Sequence, residues 1–178
     1  MAENKRICHY DSPYLLAAAA NYDNSVIKNL IHYFKYQSFE NLAPILGKII
    51  INYIENCKLR IENFIIVPIP LHHRRERERG FNQAKLLAEI ITKKFNLELK
   101  DCLKRIKNTK PQSQLKNSEK RQSNVSRCFS AVNPNLIKGK NIILIDDVFT
   151  SGATMNEAIK ILKANGAKQI IALVLAKA

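Results

Sequence analysis

One stretch, at residues 141–166, constrains the fold of this 178-residue chain more than any other. It opens with four apolar residues at 142–145, which are typical of a buried parallel strand, and these stop at two adjacent acids, Asp146 and Asp147. Small hydroxyl and glycine residues follow at 150–154, where the chain can turn tightly and present consecutive backbone N–H groups. The stretch therefore predicts a strand that delivers two carboxylates beside a turn suited to a phosphate group.

The residues after the turn have the spacing of an amphipathic helix. Apolar side chains recur at intervals of three and four across 155–162, and an Asn-Gly pair at 165–166 is a typical helix end. Thr150 or Ser151 is the expected cap, which would direct unpaired N–H donors and the positive end of the helix dipole at the turn. With a further buried strand at 170–175, the predicted unit is strand, anion-binding turn, helix, strand.

The acids and the turn together resemble the signature of type I phosphoribosyltransferases, which bind 5-phosphoribosyl-1-pyrophosphate (PRPP). The resemblance implies an α/β fold with a central, mostly parallel sheet flanked by helices. It implies that Asp146 and Asp147 are catalytic, accepting hydrogen bonds from the ribose hydroxyls and favouring the oxocarbenium-like transition state as pyrophosphate leaves. The Mg²⁺ cofactor would be held mostly by PRPP itself, so no metal-ligating residue is assigned. The residues implied for the 5′-phosphate are Thr150, Ser151, Gly152, Ala153 and Thr154.

A second unit, at residues 64–84, carries a strong charge pattern. Residues 64–67 predict a buried strand that Pro-Ile-Pro ends, and the apolar spacing from Phe81 to Phe95 predicts the next helix. Four arginines between them crowd the expected start of that helix, where the dipole disfavours cations. A bound anion would resolve this conflict, and the alternative is an exposed face on which Arg and Glu alternate.

In the phosphoribosyltransferase fold this strand-to-helix loop holds pyrophosphate. The pattern V-P-I-P-L-H-x-R-R-x-R-x-R-G-F-N-Q-A, together with D-D-V-x-T-S-G-A-T, resembles the ComF family, which comprises competence-associated proteins with a phosphoribosyltransferase domain. The similarity begins near Tyr14; members commonly begin with a four-cysteine zinc ribbon, of which at most Cys8 is present here. The residues implied for pyrophosphate are Leu71, His72, His73, Arg74 and Arg75.

The segment 104–127 carries half of the formal charge of +14, because it holds eight basic residues and one acid. Leu115 is its only large apolar residue between Ile106 and Val125, so a mobile loop is predicted, with a short helix at 118–124. The resemblance implies a loop that closes over PRPP. The same composition suits the backbone of single-stranded nucleic acid, or simply a solvated loop. The residues that match the ComF-like spacing are Arg105, Lys107, Thr109, Gln112 and Arg121.

Two helices are expected near the amino terminus. The first spans 25–36 behind a cap at Asp23 or Asn24, and the second spans 40–56. Residues 14–22 predict an edge strand, with a helix as the alternative because alanine is frequent there. The expected buried face of the first helix comprises Val26, Leu30, Tyr33 and Phe34.

An aromatic cluster lies at the end of the first helix. We interpret it as core plus rim, and the alternative is a surface that stacks bases. The cluster comprises Tyr33, Phe34, Tyr36 and Phe39, interleaved with His32 and Lys35.

The chain length and a hydrophobic content of 46% fit a single phosphoribosyltransferase-like domain over 1–178. It would comprise an amino-terminal helical elaboration at 1–60 and a PRPP-binding core at 61–178. No apolar run reaches transmembrane length and no signal pattern opens the chain, so a cytoplasmic protein is predicted. The four cysteines are far apart and include no C-x-x-C pair, which indicates reduced thiols rather than a metal site.

The predicted sheet has strands near 64–67, 142–146 and 170–175 plus edges near 14–20, 102–106 and 128–132, with the ligand crevice at the carboxyl ends.

Two functions are compatible with these features. The first is a ComF-like protein that binds PRPP with Mg²⁺ and acts in natural transformation, where imported single-stranded DNA and the DNA-uptake machinery would be its partners. The second is an active phosphoribosyltransferase that displaces pyrophosphate from PRPP with an unidentified nitrogen acceptor. The charge of +14 favours a polyanionic partner in either case. A P-loop NTPase is excluded because the chain lacks G-x-x-x-x-G-K-[ST].

Overall fold

The computed structural model describes residues 14–37, 39–109 and 118–178. Short 3₁₀ turns lie at Glu40–Leu42 and Pro134–Leu136. In chain order the strands and helices are β1 (Leu15–Asn21), α1 (Ser25–Tyr36), α2 (Ala43–Asn56), β2 (Phe64–Pro68), α3 (His73–Arg79), α4 (Gln83–Phe95), β3 (Glu98–Leu99), β4 (Leu103–Arg105), α5 (Ser118–Val125), β5 (Phe129–Ala131), β6 (Asn141–Phe149), α6 (Ala153–Ala164) and β7 (Gln169–Lys177).

A five-stranded sheet forms the centre of the fold, in the order β1-β7-β6-β2-β3, and every neighbouring pair is parallel. The register aligns Ile143 of β6 with Ile66 of β2 on one side and Ile171 of β7 on the other. The four residues 142–145 of β6 are fully buried, as expected for a strand covered on both faces. Because all the strands run the same way, their carboxyl ends meet at one edge of the sheet.

Side chains of the sheet alternate between two apolar cores, one on each face. On one face, Ile142 and Leu144 belong to a core that α6 completes. On the other face, Ile143 and Ile145 belong to a core that α1, α2 and α4 complete. Full burial of each such side chain stabilises the fold by about 1.5–3 kcal/mol. This layering confirms the predicted α/β architecture.

The predicted edges of the sheet are partly wrong. The strand near 14–20 is an edge, as predicted, since β1 pairs in parallel with β7. The segments near 102–106 and 128–132 instead pair with each other, because β4 and β5 form a separate antiparallel ribbon. The second edge is β3, which was not predicted, because a two-residue strand is too short to show a period in the sequence.

Helix α1 has the predicted bounds and the predicted cap, since the Asn24 side chain accepts hydrogen bonds from the N–H groups of residues 26 and 27. Its buried face was predicted correctly for Phe34 and in part for Leu30, which is half-buried against the core, but incorrectly for Val26 and Tyr33. Ile31 and Phe34 are buried, whereas Val26 is 63% exposed and Tyr33 is also exposed. Both faces carry apolar residues at helical spacing, so the sequence pattern does not distinguish two orientations that differ by one residue, or about 100° around the helix axis.

Helix α2 begins three residues later than predicted, after the 3₁₀ turn at Glu40–Leu42. Pro44 lies in its first turn. The N–H groups of the first turn have no acceptor within the helix, so a proline, which lacks this group, costs no hydrogen bond there. Together with α1, this helix packs directly on the central sheet, where it contacts β1 and β7. Among the helices of residues 14–37, 39–109 and 118–178, none combines the length and apolar character needed to cross a bilayer.

Candidate ligand-binding site

The two acids both lie within β6, which extends past the predicted strand end near residue 146. The strand continues to Phe149 because β7 offers it a pairing partner throughout, with Asp146 opposite Val174 and Phe149 opposite Lys177. Both carboxylates line a cavity of about 470 Å³ at the carboxyl ends of the strands, which we call the main cavity. The sheet therefore delivers both acids to the predicted crevice.

The two carboxylates have different surroundings. Asp147 is buried, and its Oδ1 lies 2.9 Å from Nζ of Lys35 in α1. The side chain of Asp146 accepts a hydrogen bond of 2.9 Å from the backbone N–H of Asp147. Burial and the neighbouring Asp147 charge raise the pKa of Asp146 to about 7, although Lys35 acts in the opposite direction. Asp146 therefore gains or loses its proton near neutral pH.

Lys35 is held by the same interaction. Burial alone would lower the pKa of its ammonium, but the charge and hydrogen bond of Asp147 outweigh burial, so that its pKa is raised. Lys35 therefore stays charged, and it brings a cation from α1 into the main cavity.

The turn at 150–154 forms a small recess of about 20 Å³ beside Asp146, which we call the turn recess. Gly152 has a φ of 74° and caps α6 without any side-chain hydrogen bond, so the predicted cap at Thr150 or Ser151 is wrong. A Cβ at Gly152 would lie 2.6 Å from Cζ of Phe149, so any other residue would have to displace this ring as well as adopt a left-handed backbone. The first intrahelical hydrogen bond runs from the N–H of Asn156, and the N–H groups just before it therefore have no acceptor within the helix.

The arginine-rich segment does not lie at the start of α4, contrary to the prediction. It forms its own helix, α3, which His72 caps by accepting a hydrogen bond from the N–H of Arg74 and which ends at Gly80 with a φ of 85°. Arg77 and Arg79 lie in its last turn, where the helix dipole favours cations. These arginines therefore do not conflict with the helix dipole, and no bound anion is needed to offset them. Evidence for an anion has to come from the residues that line the main cavity.

Only part of the predicted pyrophosphate loop reaches the main cavity. Leu71 and Arg75 line it. His72 is buried, and burial together with the charges of His73 and Arg74 lowers its pKa. His73 and Arg74 are exposed on α3 and do not line the cavity.

The predicted loop residues are also divided. Arg105 of β4 is buried, lines the main cavity, and lies over the Phe129 ring at 5.4 Å from its centroid. It donates a hydrogen bond of 2.6 Å to Oγ1 of Thr109, and Arg75 donates to the Thr109 carbonyl oxygen. Lys107 is exposed and donates to the Ser126 carbonyl oxygen at 3.1 Å, away from the cavity. Gln112 lies outside the described residues, and Arg121 falls in α5 with only its backbone described.

The main cavity has an excess of positive charge. Four cations line it against the two carboxylates, and we call these four the basic wall: Lys35, Arg75, Arg79 and Arg105. Burial and the neighbouring charges of Arg105 and Arg79 lower the pKa of Arg75, which shows that the guanidinium groups repel one another. Within the described residues, no carboxylate forms an ion pair with Arg75 or Arg105. A cavity with this balance is suited to a ligand with several negative charges.

Sequence reasoning missed half of the basic wall, namely Lys35 and Arg79. The correct orientation of α1 would have placed Lys35 beside the buried face. Arg79 is held by Gln83, whose Oε1 accepts a hydrogen bond of 3.0 Å and whose Nε2 donates to the Phe34 carbonyl oxygen at 3.3 Å. In the sequence, Gln83 is a polar residue on the apolar face of α4. This is the signal that could have indicated its contact with Arg79.

The donor atoms at the site suit a hard cation only in part. Across residues 14–37, 39–109 and 118–178, no group of three or more His, Cys, Asp or Glu side chains could hold a metal ion. The oxygens of Asp146 and Asp147 are ligands that Mg²⁺ accepts, but this ion usually keeps several other oxygen ligands. The residues therefore fit a magnesium ion that arrives with, and is mostly coordinated by, a phosphate-bearing ligand.

Comparison with known proteins identifies the family of this chain. The profile of the phosphoribosyl transferase domain matches residues 35–178. Competence protein F of Haemophilus influenzae is 34% identical over 155 residues, which cover 84% of this chain and 67% of that protein. The chain belongs to the ComF family of phosphoribosyltransferase-domain proteins.

Two further relatives show how much of a ComF-family protein this chain covers. Competence protein ComFC of Bacillus subtilis is 43% identical over 105 residues, or 59% of this chain and 40% of that protein. The DNA utilization protein YhgH of Escherichia coli is 27% identical over 146 residues, or 79% of this chain and 63% of that protein. The ComF-family chain described here thus spans about 40–67% of the length of these relatives.

Proposed function

We propose that this ComF-family chain binds PRPP with Mg²⁺ in the main cavity and acts in natural transformation, in the handling of imported single-stranded DNA. The observation that carries the proposal is the order in which the turn recess, the acids and the basic wall follow one another around a cavity of ligand size. Asp146 lines both the turn recess and the main cavity, and the basic wall lines the main cavity beyond it. A sugar bearing a phosphate at one end and a pyrophosphate at the other matches that order.

Each part of PRPP has a partner in this arrangement. The 5′-phosphate enters the turn recess, where the N–H groups at the start of α6 and the positive end of its dipole favour an anion. A ribose hydroxyl donates to Asp146, while Asp147 stays paired with Lys35. The pyrophosphate lies toward Arg75 and Arg105, whose guanidinium groups hydrogen-bond phosphate oxygens strongly. Bound Mg²⁺ neutralises part of the pyrophosphate charge.

Isothermal titration with PRPP and MgCl₂ tests the binding proposal. Wild-type protein should release or absorb heat, and Asp146→Asn should weaken binding about tenfold, because a hydrogen bond to a charged acceptor is worth roughly 1.5–3 kcal/mol. Asp101→Asn is the matched control, since Asp101 forms an exposed ion pair with Lys85 away from the cavity. Absence of heat with wild type, or equal weakening by both variants, would contradict the proposal.

A second candidate function is transfer of the phosphoribosyl group. A nitrogen lone pair of the acceptor would form a bond to ribose C1 as the bond from C1 to the pyrophosphate oxygen breaks, and the electron pair would leave with pyrophosphate. The acceptor nitrogen would then release a proton. The main cavity favours this function because the rings of His32 and Tyr36 also line it, and such rings could contact a flat nitrogen acceptor. Release of pyrophosphate from PRPP in the presence of candidate bases and amines tests it.

The DNA part of the proposal is supported by the charge and by the relatives. The chain carries +14, half of it in the segment 104–127, and one relative is named a DNA utilization protein. Affinity for a single-stranded oligonucleotide should fall steeply with salt, since contacts to phosphates release counterions. Lys104→Gln with Lys107→Gln, both exposed in the structure, should reduce that salt dependence. An affinity that does not respond to salt would count against phosphate contacts.

A further inference from the structure

The aromatic cluster at the end of α1 is mostly at the surface. Phe34 is fully buried and forms the core part of the predicted core plus rim, whereas the other large rings lie at the rim. Tyr33, Tyr36 and Phe39 are 45%, 52% and 51% exposed. Because Phe34 faces the core, the rings on the other sides of the helix face solvent, and a soluble chain seldom exposes several large rings side by side without a binding role.

The exposed rings contact one another in a continuous row. The ring centroids of Phe39 and Tyr33 are 6.2 Å apart, those of Tyr33 and His32 are 6.2 Å apart, and those of His32 and Tyr36 are 5.1 Å apart. The row ends at Arg79, whose guanidinium carbon lies 5.3 Å from the Tyr36 centroid. We call these four rings, His32, Tyr33, Tyr36 and Phe39, the aromatic strip.

The aromatic strip is continuous with the main cavity. His32, Tyr36 and Arg79 line the cavity, whereas Tyr33 and Phe39 extend the row outward from it. The strip thus leads from an open surface to a guanidinium group in the basic wall. Rings beside guanidinium groups complement a ligand that has flat π-faces along a negatively charged backbone. An apolar protein partner would not require the cations at its end.

We propose that the aromatic strip stacks the bases of a single-stranded nucleic acid at the mouth of the main cavity, with the backbone phosphates toward Arg79. This inference rests on the DNA part of the proposed function and assigns that binding to named side chains. Stacking on an aromatic ring tolerates any base, because every base has a π-face. The strip should therefore bind with little sequence preference, and more than one base should be engaged because the row holds several rings.

The experiment compares two oligonucleotides of equal length, oligo-dT and an abasic strand, by fluorescence anisotropy. Wild type should bind oligo-dT more tightly than the abasic strand. Tyr33→Ser with Phe39→Ser should bind oligo-dT more weakly by about tenfold for each ring and should reduce the difference in affinity between the two strands, because only His32 and Tyr36 of the strip remain. Tyr33→Phe with Phe39→Tyr keeps both rings and should bind like wild type. Neither residue lines the main cavity, so titration with PRPP serves as the check that each variant is folded.

Two exposed aliphatic residues provide the control for a general loss of apolar surface. Val26→Ser and Ile45→Ser should leave oligonucleotide affinity unchanged. If wild type binds neither strand while its heat with PRPP persists, the DNA part of the proposed function fails and this inference fails with it. If wild type binds both strands equally, or if the serine variant keeps its affinity for oligo-dT, the inference alone is overturned. A serine variant that changes only from dimer to monomer in size-exclusion chromatography would assign the strip to a second copy of the chain and would also overturn it.

Discussion

The acid pair with its turn and the basic wall line one cavity, yet they are built in different ways. The acids and the turn come from one continuous segment, β6 and the start of α6, within ten residues of sequence. The basic wall is collected from α1, α3 and β4, which are distant in sequence and belong to different layers. A local motif is therefore visible in the sequence, whereas a wall that several elements contribute becomes visible only when they pack.

The comparison also separates two kinds of energetic cost. In the turn the cost is conformational, because the backbone of Gly152 has a left-handed φ and lies close to the Phe149 ring. In the basic wall the cost is electrostatic, because Arg75 and Arg105 are partly desolvated and their positive charges repel each other. An anionic ligand relieves the second cost but not the first. Loss of Arg75 or Arg105, the wall cations without a carboxylate partner among the described residues, should therefore affect binding more than stability, and changes in the turn should affect both.

The largest expected effect comes from removing two cations of the wall. Arg75→Met with Arg105→Met should weaken PRPP binding by about 3 kcal/mol or more, since each removes a hydrogen bond to a charged phosphate oxygen. Stability should change little or increase, because a buried charge is replaced by an apolar side chain of similar length. Titration calorimetry and thermal unfolding measure the two effects. Lys107→Met, outside the cavity, is the control, and a parallel loss of stability and binding in the double variant would contradict the separation of costs.

The next largest effect is expected in the turn. Gly152→Ala should lower the free energy of unfolding by about 3 kcal/mol, from a left-handed backbone that costs roughly 1–2 kcal/mol plus the contact of the new Cβ with Phe149. Gly139→Ala has a similar φ of 73° but open space around its Cβ, so it isolates the backbone cost. Urea denaturation of both variants measures the difference. Equal losses in the two would show that the Phe149 contact is unimportant.

A smaller effect is expected at the ion pair that links the two regions. Lys35→Met leaves Asp147 buried without its partner and should destabilise the protein by about 2 kcal/mol. Lys35→Met combined with Asp147→Asn should recover much of that loss. A double-mutant cycle on unfolding free energies measures the coupling between the two side chains. Additive losses would mean that the pair contributes no coupling.

The smallest predicted effect is the dependence of PRPP binding on pH. In the proposed complex, ribose hydroxyls would donate to the ionised form of Asp146, whose pKa is about 7, so affinity should rise by up to about tenfold between pH 6 and 8. Phosphate groups of PRPP also ionise in this range. Asp146→Asn keeps the contribution of the PRPP phosphates to the pH dependence and loses that of the Asp146 carboxylate. The affinity of wild type for PRPP should therefore change more steeply with pH than that of the variant. Identical profiles would exclude Asp146 as the titrating acceptor.

The same raised pKa has a consequence for stability without ligand. The folded protein binds the Asp146 proton more tightly than the unfolded chain does, so this group stabilises the fold at low pH, and that contribution is lost as pH rises from about 4 to about 7. Binding and stability should therefore respond to pH in opposite directions. Thermal unfolding of wild type and Asp146→Asn across this range checks the sign.

Several elements were predictable because their signals are local. The bounds of α1 with its Asn24 cap, the short helix α5 and the strand near 170–175 were all read from neighbouring residues. The errors share a different origin. The orientation of α1, the pairing of β4 with β5, and the separate helix α3 all depend on which surfaces the rest of the chain covers, and residues several turns away decide that.

By itself, the sequence determined the acid pair at 146–147, the phosphate-suited turn and the α/β layering, because each is encoded by side chains within one strand, turn or helix. Only the tertiary structure decided that Lys35 pairs with Asp147, that Arg79 and Arg105 share a cavity with Arg75, and that most of the aromatic cluster faces solvent. The physical reason is that hydrophobic periodicity specifies that a helix is amphipathic, whereas the choice between two equally apolar faces, and hence the direction of every charge on that helix, follows from the packing of the whole core.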